Sequence, residues 1–195
     1  MKSFEFWFDF GSPAAYLAWT QIPAIEASTG AQALWRPMLL GGVFQATGNQ
    51  SPAAVPAKGR YTFTDFDRFA RRYGVPLRHN PHFPINTLLP MRGAIVLQRT
   101  QPERLADYCR AMFQAIWGDA RNLNEPAEVG AVLAAAGFDP QALLALTNEA
   151  QTKQALKDAT EEAVRRGVFG APTFFVGEQM FWGQDRIDFL KEALQ

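Results

Sequence analysis

Phe4, Phe6, Phe8 and Phe10 share one side of an extended chain while Glu5, Trp7 and Asp9 take the other, a period of two that predicts a strand over residues 4–10. The period then changes. Ser12 stands where a helix N-cap belongs, and Pro13 follows at the first helical position, where a missing N–H costs nothing; a helix is predicted from there to Gly30, bent at Pro23. "AQALWRPMLL", residues 31–40, reads as a second strand, and a helix of that length between two strands predicts a parallel βαβ unit.

At the other end a long helix is predicted near residues 148–166. Two strands follow, 173–176 and 179–182, flanking Gly177-Glu178 as a two-residue type II′ turn, and "QDRIDFLKEALQ" forms an amphipathic helix. Residues 62–147 show helical periodicity throughout and no strand, which predicts an all-helical insertion. Residues 41–60, rich in Gly, Pro, Ala and Ser, read as one long loop, and long loops in compact domains are often functional. The expected fold is therefore α/β: a thioredoxin-like four-stranded mixed sheet, built from 1–61 and 148–195, with a helical lobe inserted at 62–147.

Composition narrows the function. Nearly half of the 195 residues are hydrophobic, enough for a core without metal or disulfide staples. Lys+Arg and Asp+Glu each total 19, so no net field draws the chain to nucleic acid or an anionic bilayer. No run of about 18 apolar residues occurs, and Glu5 and Asp9 interrupt the N-terminal apolar stretch, so neither a membrane span nor a signal peptide is expected. The single cysteine, Cys109, cannot form an internal disulfide, which fits a reducing cytoplasm. It shares an apolar helix face with Leu105 and Met112 and reads as core. His79 and His82, in "RHNPHFP", lack carboxylate or thiol partners nearby, and no metal site is expected.

Two paired segments carry a resemblance. "FDFGSPAAYLA" at the start and "VFGAPTFFVGEQMFWGQDRI" at the end, with "WRPMLLGGVFQATGN" and "PAKGRY" between them, resemble the 2-hydroxychromene-2-carboxylate isomerases and kappa-class glutathione transferases, relatives of the DsbA-type oxidoreductases. The likeness covers nearly the whole chain and is weakest in the helical segment. It implies a DsbA/kappa-type fold, glutathione as cofactor, a small aromatic electrophilic substrate and a homodimer.

Ser12 stands where thioredoxin-type enzymes carry a cysteine. Read by itself it is a helix cap. A helix N-terminus nevertheless presents unpaired N–H groups and roughly half a positive charge, which would favour the thiolate of a thiol whose ordinary pKa is about 8.5. The resemblance implies that Ser12, with Pro13 and Ala14 in the first turn, activates a glutathione thiol held there. It also implies that the Ala171–Pro172 bond is cis and faces that helix, with the Ala171 backbone pairing with the cysteinyl part of glutathione like a short strand. Gln184 and Asp185, which otherwise read as the opening of the last helix, would meet the γ-glutamyl end; kappa enzymes have a small hydroxyl residue where this chain has Gln184. Asn49 and Lys58, by themselves loop residues, fall where the family's loop reaches glutathione. The naphthalene-pathway isomerases place basic residues near the substrate in the segment matching 41–54, which here carries no charge.

The resemblance thus implies a glutathione-dependent isomerase that interconverts 2-hydroxychromene-2-carboxylate and trans-o-hydroxybenzylidenepyruvate. Its alternatives are a kappa-type transferase or peroxidase using the same site, and a thioredoxin-like binding module without catalysis. Dithiol oxidoreductase chemistry needs a second cysteine to resolve a mixed disulfide, and the chain has none.

Overall fold

The computed structural model describes residues 2–195. Strand β1 (Ser3–Phe8) leads into helix α1 (Pro13–Thr29) and strand β2 (Gln32–Pro37), then α2 (Leu40–Thr47) and α3 (Pro56–Tyr73). Helices α4 (Leu88–Thr100), α5 (Leu105–Phe113), α6 (Pro126–Ala135), α7 (Pro140–Thr147) and α8 (Ala150–Arg165) precede β3 (Thr173–Val176), β4 (Gln179–Trp182) and α9 (Ile187–Ala193). The sheet order is β2-β1-β3-β4. The α1 crossover makes β1 and β2 parallel, with Phe6 opposite Trp35; β3 runs antiparallel to β1, with Phe174 opposite Phe6. Gly177 takes φ 57°, the sign a II′ turn requires at its first central position, and closes the β3–β4 hairpin.

Gly30 ends α1 in the left-handed region and donates its N–H back to the Glu26 carbonyl. Other boundaries differ from expectation. The strand predicted to Phe10 ends at Phe8, because Asp9 turns the chain by accepting the Gly11 N–H on its side chain. The segment 41–60 is not a loop: it holds α2, a 3₁₀ turn at Pro52–Ala54 and the start of α3. Its prolines, which suggested irregular chain, sit at the first positions of the 3₁₀ turn and of α3, where proline is at home. Gln184 and Asp185 likewise precede the last helix, in a 3₁₀ turn.

Both faces of the sheet are covered. The phenylalanine face packs into a core shared with α1, α9 and the helical segment, and Phe10 meets Phe113 edge-to-face at 4.9 Å between ring centres. The opposite face, that of Glu5 and Trp7, buries Trp7 with Met38, Val43, Ala163, Val168 and Phe175 beneath α2 and α8. Glu5 stays on that side by pairing with Arg36 and Arg166 and accepting the Trp7 indole N–H. Burial would push its carboxyl up, but the Trp7 and Arg166 hydrogen bonds and the two guanidinium charges outweigh this and hold it below the ordinary range. Among the described residues no strand lies within 62–147.

Candidate active site

The tip of α1 meets the start of β3 at the end of the sheet. Ser12 has the extended backbone of an N-cap, φ −97° and ψ 114°, and its Oγ accepts the Ala15 N–H at 3.1 Å. The same hydroxyl donates to the Ala171 carbonyl at 2.9 Å, across 159 residues of sequence. Pro13 has no N–H to offer. The Ala14 N–H has no acceptor among the described residues, which leaves one free donor at the positive end of the helix.

The Ala171–Pro172 bond is cis, as is Phe83–Pro84, which the sequence did not signal. The Ala171 N–H has no partner among the described residues, so this residue offers a donor and an acceptor side by side. The Pro172 carbonyl accepts the Gly183 N–H at 3.0 Å, extending the β3–β4 pairing up to the site.

Of the other predicted residues, Asn49 comes close to this strand start. Its amide nitrogen donates to the Phe169 carbonyl at 2.7 Å, tying the chain after α2 to the segment entering Ala171. The Gln184 carbonyl accepts the Tyr73 hydroxyl at 3.0 Å. Burial pushes that phenol up to about 12, so it remains a donor at any ordinary pH. The exposed Asp185 carboxylate pairs with the neighbouring Arg186 at 2.9 Å. Lys58 lies on the first turn of α3 and not in a loop; its exposed ammonium makes no ion pair or hydrogen bond with another described residue.

One residue of the site was missed at the sequence level. Asp9, three positions before Ser12, is 1 % exposed and accepts the Gly11 N–H at 2.8 Å, the Leu40 N–H at 2.7 Å and the Thr87 hydroxyl at 2.6 Å. Its backbone carbonyl also accepts the Ser12 N–H at 3.1 Å. Burial without a cation raises its pKa, and the three donors offset that only in part. The signal in the sequence was an acid at the end of a predicted strand, three residues before the helix cap.

No cysteine adjoins these groups. Cys109 is fully buried in the helical core, where burial pushes its thiol well above the ordinary range. What the α1 tip presents instead is a hydroxyl, a free amide and a helix terminus, an arrangement suited to receiving an anionic atom from a ligand. Among the described residues no three His, Cys, Asp or Glu side chains group as a metal site, and no helix is long and apolar enough to cross a membrane.

The profile of the DSBA-like thioredoxin domain matches residues 4–195. The chain belongs to that family. Within the DSBA-like family it is 31 % identical over 195 residues to a 2-hydroxychromene-2-carboxylate isomerase from Sphingobium xenophagum, covering 99 % of this chain and 98 % of that one. It is 28 % identical to glutathione S-transferase kappa 1 of Caenorhabditis elegans, covering 98 % of this chain and 90 % of the relative. A solved structure of a 2-hydroxychromene-2-carboxylate isomerase superposes with a TM-score of 0.88 at 27 % identity, over 98 % of this chain and 94 % of that one. The sheet order, the helical segment between β2 and β3 and the serine at the α1 tip are thus features of a DSBA-like chain whose single cysteine lies away from that tip.

Proposed function

We propose that this protein is a glutathione-dependent isomerase that interconverts 2-hydroxychromene-2-carboxylate and trans-o-hydroxybenzylidenepyruvate. The observation that carries the reading is the Ser12–Ala171 hydrogen bond, which joins a helix terminus to a strand start in a site with no thiol of its own. Full-length relatives named as isomerases and as kappa glutathione transferases support it. Bound glutathione supplies the nucleophilic sulfur that adds to the conjugated carbonyl substrate and leaves once the former double bond has rotated.

The chain's own residues hold and orient that thiol. Ser12 has one hydroxyl proton, which now goes to the Ala171 carbonyl; turned toward a sulfur, it stabilises the thiolate while Oγ keeps accepting the Ala15 N–H. The Ala171 carbonyl so released, together with its free N–H, pairs with the cysteinyl backbone of the tripeptide. The Ala14 N–H beyond Pro13 adds a second donor at the sulfur. Gln184 and Asp185 receive the γ-glutamyl end, with Asp185 exchanging the Arg186 guanidinium for the ligand's ammonium. Asn49 holds the neighbouring loop in place, and Lys58 supplies a cation for a carboxylate.

A kappa-type transferase acting on another electrophile is the second reading, favoured by the absence of charge in residues 41–54. Glutathione accounting separates the two. With glutathione far below the chromene concentration, the isomerase converts the substrate over many turnovers and total glutathione stays constant. Loss of one glutathione per product would establish the transferase, and no turnover of the chromene would overturn the isomerase reading.

A further inference from the structure

A cavity of about 680 Å³ opens between α2, α4 and α8 and shares no lining residue with Ser12, Asn49, Ala171, Pro172, Gln184 or Asp185. Leu39, Leu88 and Leu156 give it apolar walls, and Arg92, Lys153, Lys157 and Arg165 line it against a single acid, Glu161. In a chain whose charges balance overall, this is a local excess of positive charge. Lys157 is engaged by Glu161 at 3.7 Å, and Arg165 by Glu162 on the same helix. Arg92 and Lys153 make no ion pair among the described residues.

Arg92 is the telling group. Its Nε is buried and has no hydrogen-bond acceptor, although nearly all buried donors in folded proteins have one. A planar guanidinium with free donors matches a carboxylate better than a point anion, and the three leucines supply surface for a flat apolar body. We propose that this cavity is a second ligand site, taking an aromatic carboxylate with its ring against Leu39, Leu88 and Leu156 and its carboxylate on Arg92. Lys153 adds attraction without a fixed contact. The inference stands independently of the glutathione reading, since it uses none of those residues.

The test is calorimetry with 2-naphthoate, read beside the Arg92 Nε–H resonance in nitrogen-15-labelled full-length protein. Naphthoate is expected to shift that resonance and to bind about tenfold more weakly to Arg92→Met, as loss of a charge-assisted fork requires. Lys153→Met should weaken it by roughly threefold and salt should weaken it further. If Arg92→Met does not fold, Arg92→Lys, which keeps the charge and loses the fork, should bind naphthoate with reduced affinity, the resonance shift being read in the wild type alone. Neutral 2-naphthalenemethanol and inorganic phosphate should each bind much more weakly, and 2-hydroxychromene-2-carboxylate in place of naphthoate tells whether the site takes acids of the proposed reaction or only others. An unmoved Nε–H resonance, unchanged affinity in the Arg92 variants, or alcohol or phosphate binding as tight as naphthoate would overturn the proposal.

Discussion

Asp9 shows what a single buried group does for this site. Its carboxyl gathers donors from the turn before Ser12, the start of α2 and the residue preceding α4, so three segments meet on two oxygen atoms. Because burial raises its pKa, the unfolded chain ionises first as the pH climbs; stability is greatest below the ordinary carboxylate range and falls as pH rises toward the folded value. Glu5, held low, has the opposite sign, and its contribution is lost only as the pH falls. Asp9→Asn should cost about 1–3 kcal/mol, since an amide cannot accept from all three donors. It should also remove the decline above the ordinary range, so that the difference between the two urea-denaturation stabilities narrows as the pH rises. A constant difference would mean that folding leaves the pKa of Asp9 unshifted. The alternation of residues 4–10 was legible in the sequence, but periodicity tells which residues share a side and not whether that side is covered. For that reason the alternation did not mark Asp9 as part of the site.

Element boundaries were legible where the chain carries its own stop and start signals. Ser12-Pro13, Gly30 and Gly177-Glu178 marked α1 and the β3–β4 hairpin correctly, because caps and turns are decided locally. The segment 41–60 was misread because Pro and Gly both break helices inside and punctuate them at the ends, and only tertiary packing of α2 on α8 decides which. The consequence for the site is that Asn49 lies on a short connection pinned between helices, with its amide on the Phe169 carbonyl. Asn49→Ala should cost about 0.5–1.5 kcal/mol of stability. It should also speed hydrogen exchange around residues 48–51 and 169–171 and weaken glutathione binding. Unchanged exchange at 169–171 would show that this tie does not order the strand start.

Across the whole molecule, the helical segment and the sheet share one core. Its Phe113 packs against Phe8, Phe10 and Trp19, and the Trp117 indole donates to the Phe10 carbonyl at 2.7 Å, two residues before Ser12. The change of period suggested an insertion at 62–147, and α3 runs across position 62; the shared core was not legible, since contacts between distant aromatic residues leave no local mark. We propose that residues 62–147 and the sheet fold as one unit. Unfolding should therefore give a single transition by circular dichroism and tryptophan fluorescence alike, and Phe113→Ala should lower it as a whole by about 3–5 kcal/mol. Two separate transitions would contradict this. The core so formed fixes the α1 tip against Ala171, and the function proposed for the chain depends on what that junction does to a bound thiol. Thiolate absorbance of the protein–glutathione complex, titrated against pH in the wild type and in Ser12→Ala, measures it directly. The expected midpoint lies well below the free thiol's value of about 8.5 and moves back toward it in Ser12→Ala, while the fold loses only about 1 kcal/mol from the missing cap. A midpoint that is the same in both proteins would reduce Ser12 to a helix cap and contradict the mechanism.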